Sequence, residues 1–179
     1  MIEIKVDQAA TAEVDTRLAW HFGAAASSTT ITKEELRAAC EKLGDAPWAE
    51  KITMDHSTGF ALATAFDRDR SIRLQTLCAW FMAEERFVGL DMFLKECFGT
   101  TSVQLLERQN DLCRYKLTSN SGANKCALRL SSVFKLVEGG KTTHHIREYS
   151  VSQTSLEQIF NNFASQQSEE KGVARGMIK

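Results

Sequence analysis

The stretch "LVEGGKTTHH", residues 136–145, contains Gly-Lys-Thr-Thr, the close of a phosphate-binding loop. That chemistry needs Gly-x-x-x-x-Gly-Lys-Ser/Thr between a buried strand and a helix, so that backbone N–H groups curl around the phosphates. Five residues before Gly140 stands Lys135, inside an amphipathic run, and "TTHHIREYSV" reads as a strand. The spacing predicts a helix end and a turn, not a nucleotide site.

Other reactive side chains are no better placed. His144 and His145 are adjacent on that expected strand, so they point to opposite faces and share no metal. His21 and His56 have no ligand spacing around them. The five cysteines, at 40, 78, 97, 113 and 126, include no pair two residues apart. An odd, scattered set predicts neither a zinc knuckle nor a full disulfide framework, but reduced and mostly buried thiols. The carboxylate pairs Glu84-Glu85 and Glu169-Glu170 read as a helix start and a solvated tail. No catalytic residue, cofactor-binding residue, cofactor or metal ligand is expected, because no nucleophile, base and acceptor share a local signature. A small enzyme using a Cys/His pair assembled only in space stays open as another class.

Composition narrows the classes further. A chain of 179 residues with 43% hydrophobic and 25% charged residues suits one globular domain, or one with an appendage. A net charge of −1 gives no pull toward nucleic acid or an anionic membrane surface. An RNA platform would need stacking aromatics in a basic surround, and residues 103–109 offer none. No apolar run approaches the roughly 18 residues of a membrane span, so no direct membrane insertion is expected. "MIEIKV" alternates apolar and charged residues as a half-buried strand does. A chain that opens in a strand without a leader reads as a piece of a longer polypeptide.

These elements follow one another in a readable order. Residues 1–6 are the first strand, and 7–70 an Ala- and Thr-rich, mostly helical insertion. Within it a capping box, Thr32 with Glu35, starts a helix that stops at Gly44, and Pro47 opens the next short one. "DRDRSIR", 67–73, is a solvated charge run. "SIRLQTLCAWFMAE", 71–84, reads as an aromatic-rich strand, and a helix follows with Phe87, Leu90, Leu94 and Cys97 on one face. Two strands then flank an Asn110-Asp111 turn, with Cys113, Tyr115 and Leu117 facing one way and Arg114 and Lys116 the other. A second helix carries Leu130, Val133, Phe134 and Val137, and residues 142–152 are the last strand. The order is βαββαβ, an α+β ferredoxin-like sandwich with an antiparallel sheet and both helices on one face. Its core is expected over 71–152. A C-terminal helix at 153–166 has a capping box, Thr154 with Glu157, and a stripe of Leu156, Ile159, Phe160 and Phe163. That stripe packs either on the chain's own sheet or on a neighbour. Residues 1–166 are expected to be a single domain, and 167–179 a disordered tail.

The segment "EYSVSQTSLEQIFNNFA", 148–164, resembles the closing stretch of the regulatory domain of A-subfamily ATP-binding cassette (ABC) transporters, and by that resemblance 7–70 is an insertion of a sort seen in plant and protist members. Tyr149, Ser150, Val151, Ser152, Gln153, Thr154, Leu156, Phe160 and Phe163 stand at matching places, with Ser155 for a commoner threonine. "LCAWFMAEERFVGLDMFLKECFG", "LLERQNDLCRYKL" and "LSSVFKLVE" are similar to the family in the same order, so the resemblance covers roughly 72–166. It implies a non-catalytic regulatory domain on the cytosolic face of a lipid- or sterol-moving transporter. Its partners would be the nucleotide-binding domains and a counterpart regulatory domain, whose association it would bias. Tyr149 and the Ser152–Thr154 corner would set the turn into the last helix, and Leu156, Ile159, Phe160 and Phe163 would make contacts. The parent would be an ATPase, whereas this segment lacks its phosphate loop, signature and metal-site carboxylate. The competing expectation is a freestanding ferredoxin-like module that dimerises or binds a small molecule.

Overall fold

In the computed structural model, which describes residues 1–118 and 129–152, the first strand is β1, Ile2–Val6. Its Ile2, Ile4 and Val6 are buried while Glu3 and Lys5 look outward, the period-two pattern of a half-covered sheet. The chain then forms α1 (Thr11–Phe22), β2 (Thr30–Thr32), α2 (Leu36–Leu43), α3 (Phe60–Asp69) and β3 (Ser71–Arg73). Local signals set several of these ends, although α2 starts at Leu36 with Glu35 at its N-cap and not at Thr32, which ends β2. The Glu35 carboxylate accepts the Thr32 backbone N–H at 2.9 Å, Gly44 caps α2, and Pro47 lies in the first turn of a 3-10 segment at Ala46–Lys51. The charge run at 67–73 falls at the end of α3, where Arg68 and Asp69 pair in solvent.

Residues 71–84 are the main departure from the sequence reading. Only Ser71–Arg73 is strand, and it pairs with β2; Leu74–Phe98 is one continuous helix, α4, of 25 residues. The buried positions Leu74, Leu77, Cys78, Phe81 and Glu84 recur at helical spacing. Aromatic and apolar richness on every side hid that period, because half-buried Trp80 and Met82 pack alongside the buried stripe. Gly99 ends the helix with φ of 90°.

After α4 come β4 (Val103–Gln109), β5 (Leu112–Leu117), α5 (Leu130–Gly140) and β6 (Ile146–Val151). Asn110 turns the β4–β5 hairpin with φ of 48°, in the left-handed region that asparagine tolerates. The strands form one antiparallel sheet in the order β4-β5-β1-β6. With α4 and α5 on one face, this is the α+β, ferredoxin-like βαββαβ arrangement. Its first strand is β1 at residues 2–6, not the segment 71–84, so residues 7–73 are inserted between the first strand and the first helix. The last strand starts at Ile146 rather than 142, because residues 141–145 form a tight turn. The expected C-terminal helix and tail lie outside the described residues.

Two apolar cores result, and α4 belongs to both. Its first half contributes Leu74, Leu77, Cys78 and Phe81 to a core with α1, α2 and α3. Its second half contributes Leu90 and Leu94 to a core with Ile2, Ile4, Cys113, Tyr115, Val133 and Val137. Each such side chain contributes about 1.5–3 kcal/mol of burial. One helix therefore fixes the inserted region on the sheet sandwich.

Candidate functional site

Glu84 sits on α4 at the point where one core gives way to the other. It is 1% exposed, continuing the apolar stripe with a carboxylate. Arg108 of β4 reaches it with both terminal nitrogens, Nη1 to Oε2 at 3.1 Å and Nη2 to Oε1 at 2.7 Å. Lys51, from the inserted region, donates to Oε2 at 3.4 Å. The Arg108 guanidinium lies 3.9 Å from the Phe87 ring centre, and the Lys51 ammonium 4.4 Å from that of Trp48. Burial pushes the Glu84 carboxyl up, but the hydrogen bonds and charge of Arg108, helped by Lys51, outweigh it and hold it below the usual range.

Local backbone places these groups. Gly59 lies against the Lys51 carbonyl so closely that a Cβ would come 1.8 Å from its oxygen, so only glycine fits. The His56 Nδ1 accepts the backbone N–H of Gly59 at 3.3 Å, and Trp80 Nε1 donates to the Thr58 carbonyl at 3.0 Å. A second ion pair, Arg17 to Glu85, ties α1 to the next residue of α4, and Arg17 also donates to the Leu43 carbonyl at 2.8 Å. Glu84 and Glu85 thus stand mid-helix in paired positions, and not at a helix start.

Beside the pair is a cavity of about 280 Å³. Trp80, Phe87 and Val6 line its apolar side, and Asp7, Asp111 and Arg108 its polar side. The Arg108 Nε is buried without an acceptor. Cys113 also lines the cavity, and burial pushes its thiol up to about 11, which favours the protonated form at neutral pH. The site can hold a small molecule and can position two layers. Thr58, which lines the cavity, has its hydroxyl 3.2 Å from His56 Nδ1, the nitrogen that also accepts the Gly59 backbone N–H. Among the described residues no cluster of three His, Cys, Asp or Glu side chains is spaced for a metal.

The residues singled out in the sequence lie elsewhere. Tyr149 donates its hydroxyl to Glu138 at 2.8 Å, and its ring is 5.7 Å from that of Phe134. Ser150 is exposed opposite Glu3, and Ser152 closes the strand by donating its N–H to the Met1 carbonyl at 2.9 Å. None of the three lines the cavity. Gln153, Thr154, Leu156, Ile159, Phe160 and Phe163 lie outside the described residues. His144 and His145 are in the turn, not on a strand: His144 stacks on Phe93 at 4.1 Å, and His145 has φ of 53°. Gly-Lys-Thr-Thr opens that same turn. Gly140 packs so tightly that a Cβ would come 2.5 Å from the Phe93 ring, and the next element is the strand β6. The Lys51, Glu84 and Arg108 cluster was missed; its signal is a carboxylate at the next helical step after Leu74, Leu77, Cys78 and Phe81.

No family model matches the chain, and no solved structure matches it. Over 38 residues, 21% of this chain and 1% of the relative, it is 53% identical to human ATP-binding cassette sub-family A member 13. Over 63 residues, 35% of this chain and 2% of the relative, it is 38% identical to the retinal-specific phospholipid-transporting ATPase ABCA4 of Bos taurus. The human protein of that name matches with the same identity and coverage. The chain spans only 1% to 2% of the length of these relatives. A segment of it is related to the A-subfamily ABC transporters. Among the described residues, no helix is long and apolar enough to cross a membrane.

Proposed function

We propose that this chain is a non-catalytic accessory segment of an A-subfamily ABC transporter. It acts on the cytosolic face by contacting the nucleotide-binding domains and a counterpart accessory domain. The carrying observation is the local identity to A-subfamily members. The continuous resemblance of 148–164 to the end of the regulatory domain agrees with it. A relative described as a phospholipid-transporting ATPase supports a lipid as cargo of the parent. Such a segment needs no chemistry of its own. Contacts that differ between open and closed cassettes shift their equilibrium by the difference in contact energy, typically about 1–3 kcal/mol.

The test is Phe160→Ala in the whole transporter, with folding checked by proteolysis. Reduced coupling of ATP hydrolysis to lipid movement is the expected result. Unchanged hydrolysis and transport in a normally folded protein would overturn the reading. Calorimetry on the isolated chain should show no ATP binding, and micromolar binding would contradict the non-catalytic assignment. The cavity beside Arg108 favours one second reading, a freestanding module that binds a small molecule. A ligand that raises the thermal midpoint of the isolated chain would support it.

A further inference from the structure

The cavity of about 280 Å³ lies where β1, α4 and the β4–β5 turn meet Thr58 of the inserted region. Its apolar wall is Val6, Trp80 and Phe87, while Ala79 and Ala83 of α4 leave the space that larger side chains would fill. Trp80 is a fixed wall, because its Nε1 donates to the Thr58 carbonyl at 3.0 Å. A small, mostly apolar space with a few placed polar groups is the usual form of a small-molecule site.

The charges of the wall are unequal. The carboxylates of Asp7, Glu84 and Asp111 line it against the guanidinium of Arg108. Arg108 gives both terminal nitrogens to Glu84, its Nε is buried, and its face lies on Phe87. Asp111 is taken by Arg147, at 2.8 Å. The Asp7 carboxylate has no ion-pair or hydrogen-bond partner among the described residues. Its backbone is pinned all the same. The N–H donates to the His145 carbonyl at 2.7 Å, and the carbonyl accepts Arg86 Nη1 at 2.8 Å. One positioned, unpaired anion therefore shares an apolar cavity with an indole ring. An anionic ligand would meet these carboxylates with no free cation to receive it. An ammonium group gains from the carboxylate and from the aromatic faces together.

We propose that this cavity binds a small primary amine with an aromatic body, its ammonium on the Asp7 carboxylate and its ring against Trp80 and Phe87. The body contributes by leaving water. Asp7 is exposed and its charge is screened, so it sets the preference among charges more than the affinity. The proposal deepens the reading of the chain as a small-molecule-binding module and rests on it, independently of the transporter reading.

Calorimetry of the full chain with 2-phenylethylammonium, 2-phenylethanol and 3-phenylpropanoate tests it, since the three share a ring and differ in charge. The amine should bind about threefold to tenfold more tightly than the alcohol, with the propanoate weakest. Asp7→Asn should remove that preference and leave the alcohol unchanged. Ala83→Leu, which fills the cavity from α4, should abolish binding, and Ala79→Leu repeats the test one helical turn earlier. Equal binding of amine and alcohol, or an amine preference that survives Asp7→Asn, would overturn the amine assignment and leave the small-molecule reading standing. Amine binding that survives both filling variants would overturn the cavity as its seat. Binding of none of the three would overturn the proposal and count against the small-molecule reading as well.

Discussion

Glu84 and Arg108 meet in a two-pronged ion pair, at 2.7 and 3.1 Å, across the boundary between the inserted helical region and the sheet. Neither carries out chemistry on the other. The pair joins α4 to β4, and Lys51 extends it into the insertion. Removing one partner leaves a buried charge, whereas removing both leaves an apolar contact. Arg108→Met should therefore lower stability by about 3–5 kcal/mol. The double variant Glu84→Met with Arg108→Met should recover most of that loss. Urea unfolding of the parent and the two variants measures both, and a double variant no better than the single would show that the pair itself sets the geometry.

The lowered Glu84 titration gives a pH dependence with a definite sign. The carboxyl is more acidic folded than unfolded, so its stabilisation is present above the ordinary carboxylate range. It is lost as pH falls through the lowered folded value. Glu84→Gln should be less stable than the parent near neutral pH and should lose less on acidification from about pH 5 downward. Parallel curves for the two proteins in unfolding titrations would assign the acid limb to other groups.

Local signals carried far in this chain. Gly44, Pro47, Asn110 and Gly99 each sit where turn and cap chemistry placed them, while the helix expected from Thr32 starts only at Leu36. The α+β order was legible because β1, β5 and α5 keep clean periods on a single buried face. The first half of α4 was not, since it is apolar around most of its circumference and a strand period fits such a run as well as a helical one. That error also displaced Glu84 and Glu85 to a supposed helix start. Arg108 was invisible for another reason: its partner lies 24 positions away, and only the packing of β4 on α4 brings them together. Tyr149 was singled out by resemblance, and the structure ties it to Glu138 and Phe134.

Gly140 should tolerate no side chain. It is helical with ordinary backbone angles, so the constraint is steric: a Cβ would come 2.5 Å from the Phe93 ring. Gly140→Ala should cost about 1–3 kcal/mol by forcing Phe93 away, and with it the His144 stack. Adding Phe93→Leu should restore part of the loss. Thermal midpoints of the single and double variants decide this, and an unaffected Gly140→Ala would mean that the α4–α5 contact is looser than described.

His144 adds a second pH-sensitive contact. Burial against Phe93, with a smaller contribution from neighbouring His145, lowers its titration below the ordinary histidine value. A base that is harder to protonate when folded destabilises the fold as pH drops below its unfolded value, and the loss ends below the folded one. His144→Phe keeps a ring on Phe93 and should flatten the fall in stability over the interval that opens below about pH 6.5. An unchanged slope in that interval would assign it elsewhere.

The thiols should divide sharply by reactivity. Cys40, Cys78 and Cys113 are buried, and burial raises each to about 11, leaving almost no thiolate at neutral pH. Cys97 is only partly buried on α4, so a reagent can reach it even though burial raises its titration as well. Brief iodoacetamide treatment of the folded chain near pH 7.5, a mildly basic choice below the free thiol value of about 8.5, should leave those three unmodified. The same treatment in denaturant should modify all five cysteines of the sequence. Peptide mass spectrometry reads each position separately. Labelling of Cys113 in the folded chain would be the informative exception, because that thiol borders the cavity beside Arg108 and would report that the cavity opens to solvent.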